Sequence, residues 1–199
     1  MYALIENNEI KKIYNNPRAL NINDTQYPSN IFSLWSASEK EAIGIYEVVF
    51  DNSNKKDEAY YINTNQSFAF ADGVATASFG SATAKELDDR NATDEAGEEL
   101  DPVVVIEGLK SQKKAVIKSQ AAGELQNTDW YIVRKADAGT AVPSAITTHR
   151  AAVRTKSGEM ETAIDNASDV DALAALYEYT EQEDGSHTRP LGEWPELGV

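Results

Sequence analysis

The chain has 199 residues, is 41% hydrophobic and 26% charged, and carries a formal charge of −15, which suits one globular domain or two small ones. It has no cysteine and only two histidines, His149 and His187, which excludes disulfides, thiolate zinc sites, iron–sulfur clusters and multi-histidine metal centres. An excess of 33 acidic over 18 basic residues argues against sequence-independent binding to nucleic-acid phosphates.

Residues 1–84 read as short strands and turns. Met1–Ile5 and Glu9–Tyr14 are apolar-rich runs separated by Asn7-Asn8, a hairpin signal. Ser36 or Ser38 is placed to cap a short helix running to Ile43, with Glu39 and Glu41 at its positive end and Gly44 as its left-handed stop. Ile45–Phe50 and Ala59–Ile62 are strand candidates. The clearest local feature is residues 67–79, where two alternating runs flank Asp72-Gly73, a pair suited to a type I′ turn; Phe68, Phe70 and Phe79 are expected to cover one side of the resulting sheet.

Residues 85–101 hold Glu86, Asp88, Asp89, Asp94, Glu95, Glu98, Glu99 and Asp101 against only Lys85 and Arg90, with little that is apolar. Such a stretch repels itself and reads as a solvated linker. A calcium-binding loop is the alternative, but the spacing and central glycine of such a loop are missing.

From Pro102 the period becomes helical. Ile106, Leu109, Val116, Ile117, Ala121 and Leu125 form a stripe, and Lys110, Lys113, Lys114 and Lys118 are expected to form a solvated face beside it. Gly123 is expected to end or kink this helix, and Thr128-Asp129 to cap the next. Residues 130–135 are ambiguous, since Trp130, Ile132 and Arg134 alternate as in a strand while Trp130 and Val133 are spaced as on a helix. Pro143 suits the first turn of a further helix carrying Ile146, Arg150 and Val153, with a break near Ser157-Gly158. Ser168 is placed to cap a last helix with Val170, Leu173, Leu176 and Tyr177 on its stripe. The tail from Thr180 reads as polar and extended, closing with Trp194-Pro195.

No nucleophile elbow, phosphate loop, dinucleotide fingerprint or His-Glu-x-x-His run occurs. Carboxylates abound, but they cluster in the acidic stretch rather than in turns framed by aromatics. The residues therefore lead to an expectation of no catalytic group, no cofactor and no metal. His149 reads as a surface or packing histidine. Arg134, Arg150 and Arg154 are placed to stack on Trp130 or Trp194 and to pair with Asp129, either as an internal clamp or as an interface gripping an acidic partner or a neighbouring copy. Met1 to Ile13 lacks the pattern of a signal peptide and no apolar run nears the ~20 residues of a membrane helix, so the expected setting is inside a cell, or a particle assembled there.

The run LKSQKKAVIKSQAAGELQNTDWYIVRK, residues 109–135, followed by PSAITTHRAAVRT, residues 143–155, and by EWPE, residues 193–196, resembles the tail assembly chaperone and tail-fibre-associated proteins of tailed bacteriophages. MYALIENNEI and IGIYEVV, residues 43–49, are similar to opening modules of short tail-fibre-associated proteins. The resemblance carries Thr128, Asp129, Trp130, Arg134, Arg150, Arg154 and Trp194 as family-like positions, none of them catalytic.

The expected fold is α+β: a small β-rich docking domain (1–84), an acidic linker (85–101) and a helical domain with an extended tail (102–199). The resemblance implies a non-enzymatic structural or adaptor component of a phage tail, such as a fibre, baseplate or adaptor subunit. It would be located in the virion and contact other tail proteins in several symmetric copies, with no nucleic-acid or membrane partner. The alternative is an assembly chaperone absent from the mature virion, and a tail hydrolase is a distant third. Trp130, Arg134, Arg150, Arg154 and Trp194 are the expected anchors or partner-binding residues.

Overall fold

A computed structural model describes residues 1–198, and the fold is α+β. The chain divides into two compact units, Met1–Thr83 and Ala84–Val199.

The first unit is organised by three tight hairpins. β1 (Tyr2–Glu6) turns into β2 (Glu9–Tyr14) at Asn7-Asn8, β3 (Leu20–Ile22) into β4 (Thr25–Tyr27) at Asn23-Asp24, and, further on, β7 (Gln66–Ala71) into β8 (Val74–Phe79) at Asp72-Gly73. Both residues of each pair have positive φ, between 50° and 78°. Asn, Asp and Gly tolerate that conformation, and its twist matches the flanking strands. The Asn23-Asp24 hairpin escapes a pattern reading because its strands are three residues long, too short to show alternation.

Between the second and third hairpins, α1 (Ile31–Leu34) sets Ile31 and Phe32 into the core. α2 (Ala37–Glu41) begins with a reciprocal capping box: the Glu39 amide donates to Ser36 Oγ and the Ser36 amide to Glu39 Oε2. Ser36, not Ser38, is the cap. Gly44, at φ 82°, then turns the chain into β5 (Ile45–Asp51).

β5 lies at the centre of a five-stranded sheet ordered β2-β1-β5-β8-β7, antiparallel to β1 and parallel to β8. Alternation along β1 splits the core between the two faces. Leu4 joins Tyr14, Leu20, Ile22, Ile31, Phe32 and Ile45 on one, while Ala3 and Ile5 join Val48, Ala75 and Ala77 on the other. Phe70 packs edge-on against Tyr46 with centroids 4.8 Å apart, whereas Phe68 stays 36% exposed and covers little. Of 59–62, only Tyr61–Ile62 forms a strand, β6, while a two-residue strand β9 (Thr83–Ala84) closes the β-rich region.

In the second unit, the stretch expected to be a solvated linker is exposed but folded, so its separation from the helical part is corrected. β10 (Arg90–Asn91) pairs with β11 (Val105–Ile106), and Thr93 bridges Glu99. Short acidic side chains hold the segment together by accepting backbone protons: Asp94 Oδ1 takes those of Ala96 and Glu98. The segment also builds the start of α3 (Leu109–Gln126). Asp89 accepts from the Gly108 amide (2.8 Å) and the Ser111 hydroxyl (2.8 Å), and Lys110 pairs with Asp88 at 3.0 Å. Gly108 is needed there because a Cβ would lie 2.5 Å from the backbone of Asp88.

These bonds hold the Asp89 carboxyl below the usual carboxylate range, the Gly108 amide contributing most and the Ser111 hydroxyl next. A carboxylate whose folded pKa is lowered stabilises the fold fully above its unfolded pKa, and that contribution is lost as pH falls through the folded value. We therefore expect Asp89→Ala to melt below the wild type at pH 7, with the gap narrowing toward about pH 2 as the Asp89 carboxylate takes up a proton. Thermal melts at the two pH values check this.

α3 packs antiparallel on α5 (Ser144–Asp165): Lys114 meets Asp165 at 2.7 Å, Lys118 meets Glu161 at 3.5 Å, and Arg150 reaches the Leu125 carbonyl at 2.9 Å. The lysines expected to form a solvated face thus tie α3 to its neighbours. Lys113 lies over the Tyr177 ring. Ile117, Val153, Met160, Ile164 and Leu173 are buried within this unit, whereas Ile106 and Val116 fall off the buried stripe at 40% and 48% exposure.

Neither Gly123 nor Ser157-Gly158 interrupts its helix. A glycine lowers helix stability by only ~1 kcal/mol relative to alanine, which packing on either side readily outweighs. Pro143 is the residue just before α5, and α6 (Val170–Ala175) is capped by Asp169, whose carboxylate accepts from Ala172, rather than by Ser168. The tail is not simply extended: β12 (Thr180–Glu181) pairs with β13 (His187–Thr188), and Leu191, buried, donates its amide to Leu176.

Candidate interaction surface on the α4–α5 corner

The ambiguous run 130–135 is helical. α4 (Asp129–Ala138) ends at Gly139, whose φ of 68° and amide bond to Lys135 form a left-handed stop. No residue of α4 is buried. Trp130, expected as a structural anchor or a partner-binding residue, is not a core residue: it is 50% exposed. Its ring lies 4.0 Å from that of Tyr131. Arg134, one turn along, sets its guanidinium 4.5 Å from the Trp130 centroid and 5.5 Å from that of Tyr131. Ile132 and Val133 are also exposed, at 42% and 66%.

Arg150 does different work. It is buried and donates to the Leu125 carbonyl (2.9 Å) and to Thr128 Oγ1 (2.6 Å), and its second terminal nitrogen lies 2.8 Å from Asp129. One guanidinium thus joins the end of α3, the α3–α4 turn and α5. Thr128 was expected to cap α4 with its side chain. Instead its hydroxyl donates to Leu125 and accepts from Arg150, since a buried guanidinium needs acceptors more than an exposed helix end needs a cap.

Arg154 is exposed one turn along α5, bonded among the described residues to the Arg150 carbonyl at 3.2 Å. The three arginines therefore separate into one internal clamp, Arg150, a half-buried Arg134 set against the two rings, and an exposed Arg154. Trp194 stacks on none of them among the described residues: its indole nitrogen is 3.4 Å from Gln120 Oε1, and it borders a cavity of about 320 Å³ with His149, Glu124 and Thr128. His149 is buried, and its Nδ1 has no hydrogen-bond partner among the described residues.

The corner between α4 and α5 encloses a second notch of about 300 Å³, lined by Ile132 and Lys135 from α4, Val142 from the connection, and Thr147, Arg150 and Arg154 from α5. Lys135 and Thr147 carried no motif signal. What places them is helix spacing, Ile132 with Lys135 at i, i+3 and Thr147 with Arg150 and Arg154 at i, i+3 and i+7, and that spacing becomes readable only once the register of both helices is known. The surface offers guanidinium and ammonium donors, an indole face and apolar walls, which is the chemistry of recognition.

Among the described residues, no group of three His, Asp or Glu is placed to hold a metal ion, and no helix is long and apolar enough to cross a membrane. No protein-family model matches the chain, and comparisons with curated proteins and with solved structures return no match.

Trp130→Ala should lower the stability of the second unit by only about 0.5–1.5 kcal/mol, the worth of half-exposed stacking. A melting temperature lowered by 10 °C or more would return Trp130 to a structural role.

Proposed function

We propose that this protein is a non-enzymatic adaptor of a bacteriophage tail, acting through protein–protein contacts and retained in the finished particle. The observation that carries the reading is the α4 surface. Trp130, Ile132 and Val133 stand exposed on a helix with no buried residue, inside the segment 109–155 whose sequence resembles phage tail proteins. Exposed tryptophan beside arginine is the composition of an interface centre. The separate β-rich unit supplies a second surface, as an adaptor needs. Its outer strands β2 and β7 each pair with a single neighbour and approach one another as the sheet curls.

The test is a mass-spectrometric inventory of purified particles from infected cells. Retention predicts this polypeptide at a ring-like stoichiometry, a multiple of three or six. Abundance in the lysate together with absence from purified particles would make the protein an assembly chaperone instead.

A further inference from the structure

The cations of the second unit are unevenly used. Lys110, Lys114, Lys118, Lys156 and Arg189 each hold a carboxylate, and Arg150 holds Asp129. Lys135 and Arg154 hold none among the described residues, although acids outnumber bases 33 to 18 in the chain. Both are exposed, and both line the α4–α5 notch beside Ile132 and Val142. A concave site with two unpaired cations and apolar walls is complementary to a carboxylate-bearing loop.

The same unit displays such a loop. At the tip of the acidic hairpin, Asp94 Oδ1 accepts the amides of Ala96 and Glu98, the Gly97 amide donates to the Asp94 carbonyl, and Gly97 has a φ of 88°. The turn is thereby held in shape with Glu95 and Glu98 exposed. A preformed loop loses little conformational freedom on binding.

We infer that the α4–α5 notch receives the Asp94–Glu98 turn of a second copy of this chain, Arg154 and Lys135 taking the carboxylates of Glu95 and Glu98. The two surfaces differ, so the contact is heterologous, and its repetition generates a ring if the rotation closes. It rests on the adaptor reading for the presence of several copies in one place. The net charge of −15 does not forbid it, because at about 0.15 M salt the screening length is about 8 Å. Repulsion between whole molecules is then damped, while groups in contact still attract. One such contact is weak, and closure of a ring makes it durable.

Sedimentation velocity of the full chain, from about 1 μM to 1 mM in 0.15 M salt, tests the contact. The wild type should sediment faster as concentration rises. Lys135→Glu/Arg154→Glu and Glu95→Lys/Glu98→Lys should each associate at least tenfold more weakly, because all four side chains are exposed and the fold does not depend on them. Mixing the two variants should restore association, each reversed notch now facing a turn of opposite charge. A wild type that stays monomeric throughout, a variant that associates as the wild type does, or a mixture that stays monomeric would each overturn the proposal. Self-association by this charge pattern in a protein missing from purified particles would end the adaptor reading and leave the contact standing.

Discussion

Replacing Arg150 by alanine should lower the melting temperature of the second unit by roughly 10 °C. The guanidinium is buried and spans three acceptors on three elements: the Leu125 carbonyl, Thr128 Oγ1 and Asp129. Hydrogen bonds to a charged group contribute about 1.5–3 kcal/mol, and removing one member of a buried pair costs about 3–5 kcal/mol when its partner is stranded without water. Asp129 is 56% exposed and rehydrates, so the loss sits nearer the lower end, about 2–4 kcal/mol. At roughly 4 °C per kcal/mol for a unit of this size, that gives the stated shift. Asp129→Asn should cost about 1 kcal/mol or less, because only the most solvated of the three contacts is weakened. Thermal melts of both variants separate the cases, and equal shifts would show that the ion pair rather than the buried carbonyl and hydroxyl contacts carries the clamp. Arg150→Lys should rescue little, since an ammonium cannot reach three acceptors from one planar fork.

Gly44→Ala should destabilise the first unit by about 2–5 kcal/mol, whereas Gly73→Ala should cost only about 1–2 kcal/mol. Both glycines have positive φ, 82° and 78°, so both variants carry the left-handed backbone penalty. They differ in surroundings. A Cβ at position 73 meets nothing within 4 Å, but at position 44 it would lie 2.7 Å from the Ile5 carbonyl oxygen. That carbonyl belongs to β1, and the Ile5 amide bonds back to the Gly44 carbonyl at 2.8 Å, so relief of the clash requires moving a core strand. Denaturant titration with fluorescence of Trp35, which packs against this core, follows the unit directly once Trp130 and Trp194 are replaced by Phe. Similar losses for the two variants would mean that β1 yields easily and that the close approach is unimportant.

The local chemistry of the chain determined much of this protein. Asn7-Asn8 and Asp72-Gly73 specify their hairpins because each pair relieves the same backbone strain whatever surrounds it. Ser36 with Glu39 closes a capping box, and Gly44 stops the helix that follows, for equally local reasons. The α+β division is likewise visible as a change of hydrophobic period near residue 100.

Tertiary structure decided the rest. The acidic stretch looked too polar to fold, yet its carboxylates satisfy amides of its own turns and of the α3 start, a use of charge that composition cannot display. Gly123 and Gly158 stay inside their helices because long-range packing outweighs a penalty of ~1 kcal/mol. Trp130 lies outside, while Arg150 takes the internal-clamp place that was one of its two expected roles. Which side of a helix is covered depends on the neighbour laid against it. Arg150 faces the end of α3, which offers it a carbonyl and a hydroxyl, while Trp130 faces no packed element. Burial is a property of that arrangement, and residue type alone does not contain it.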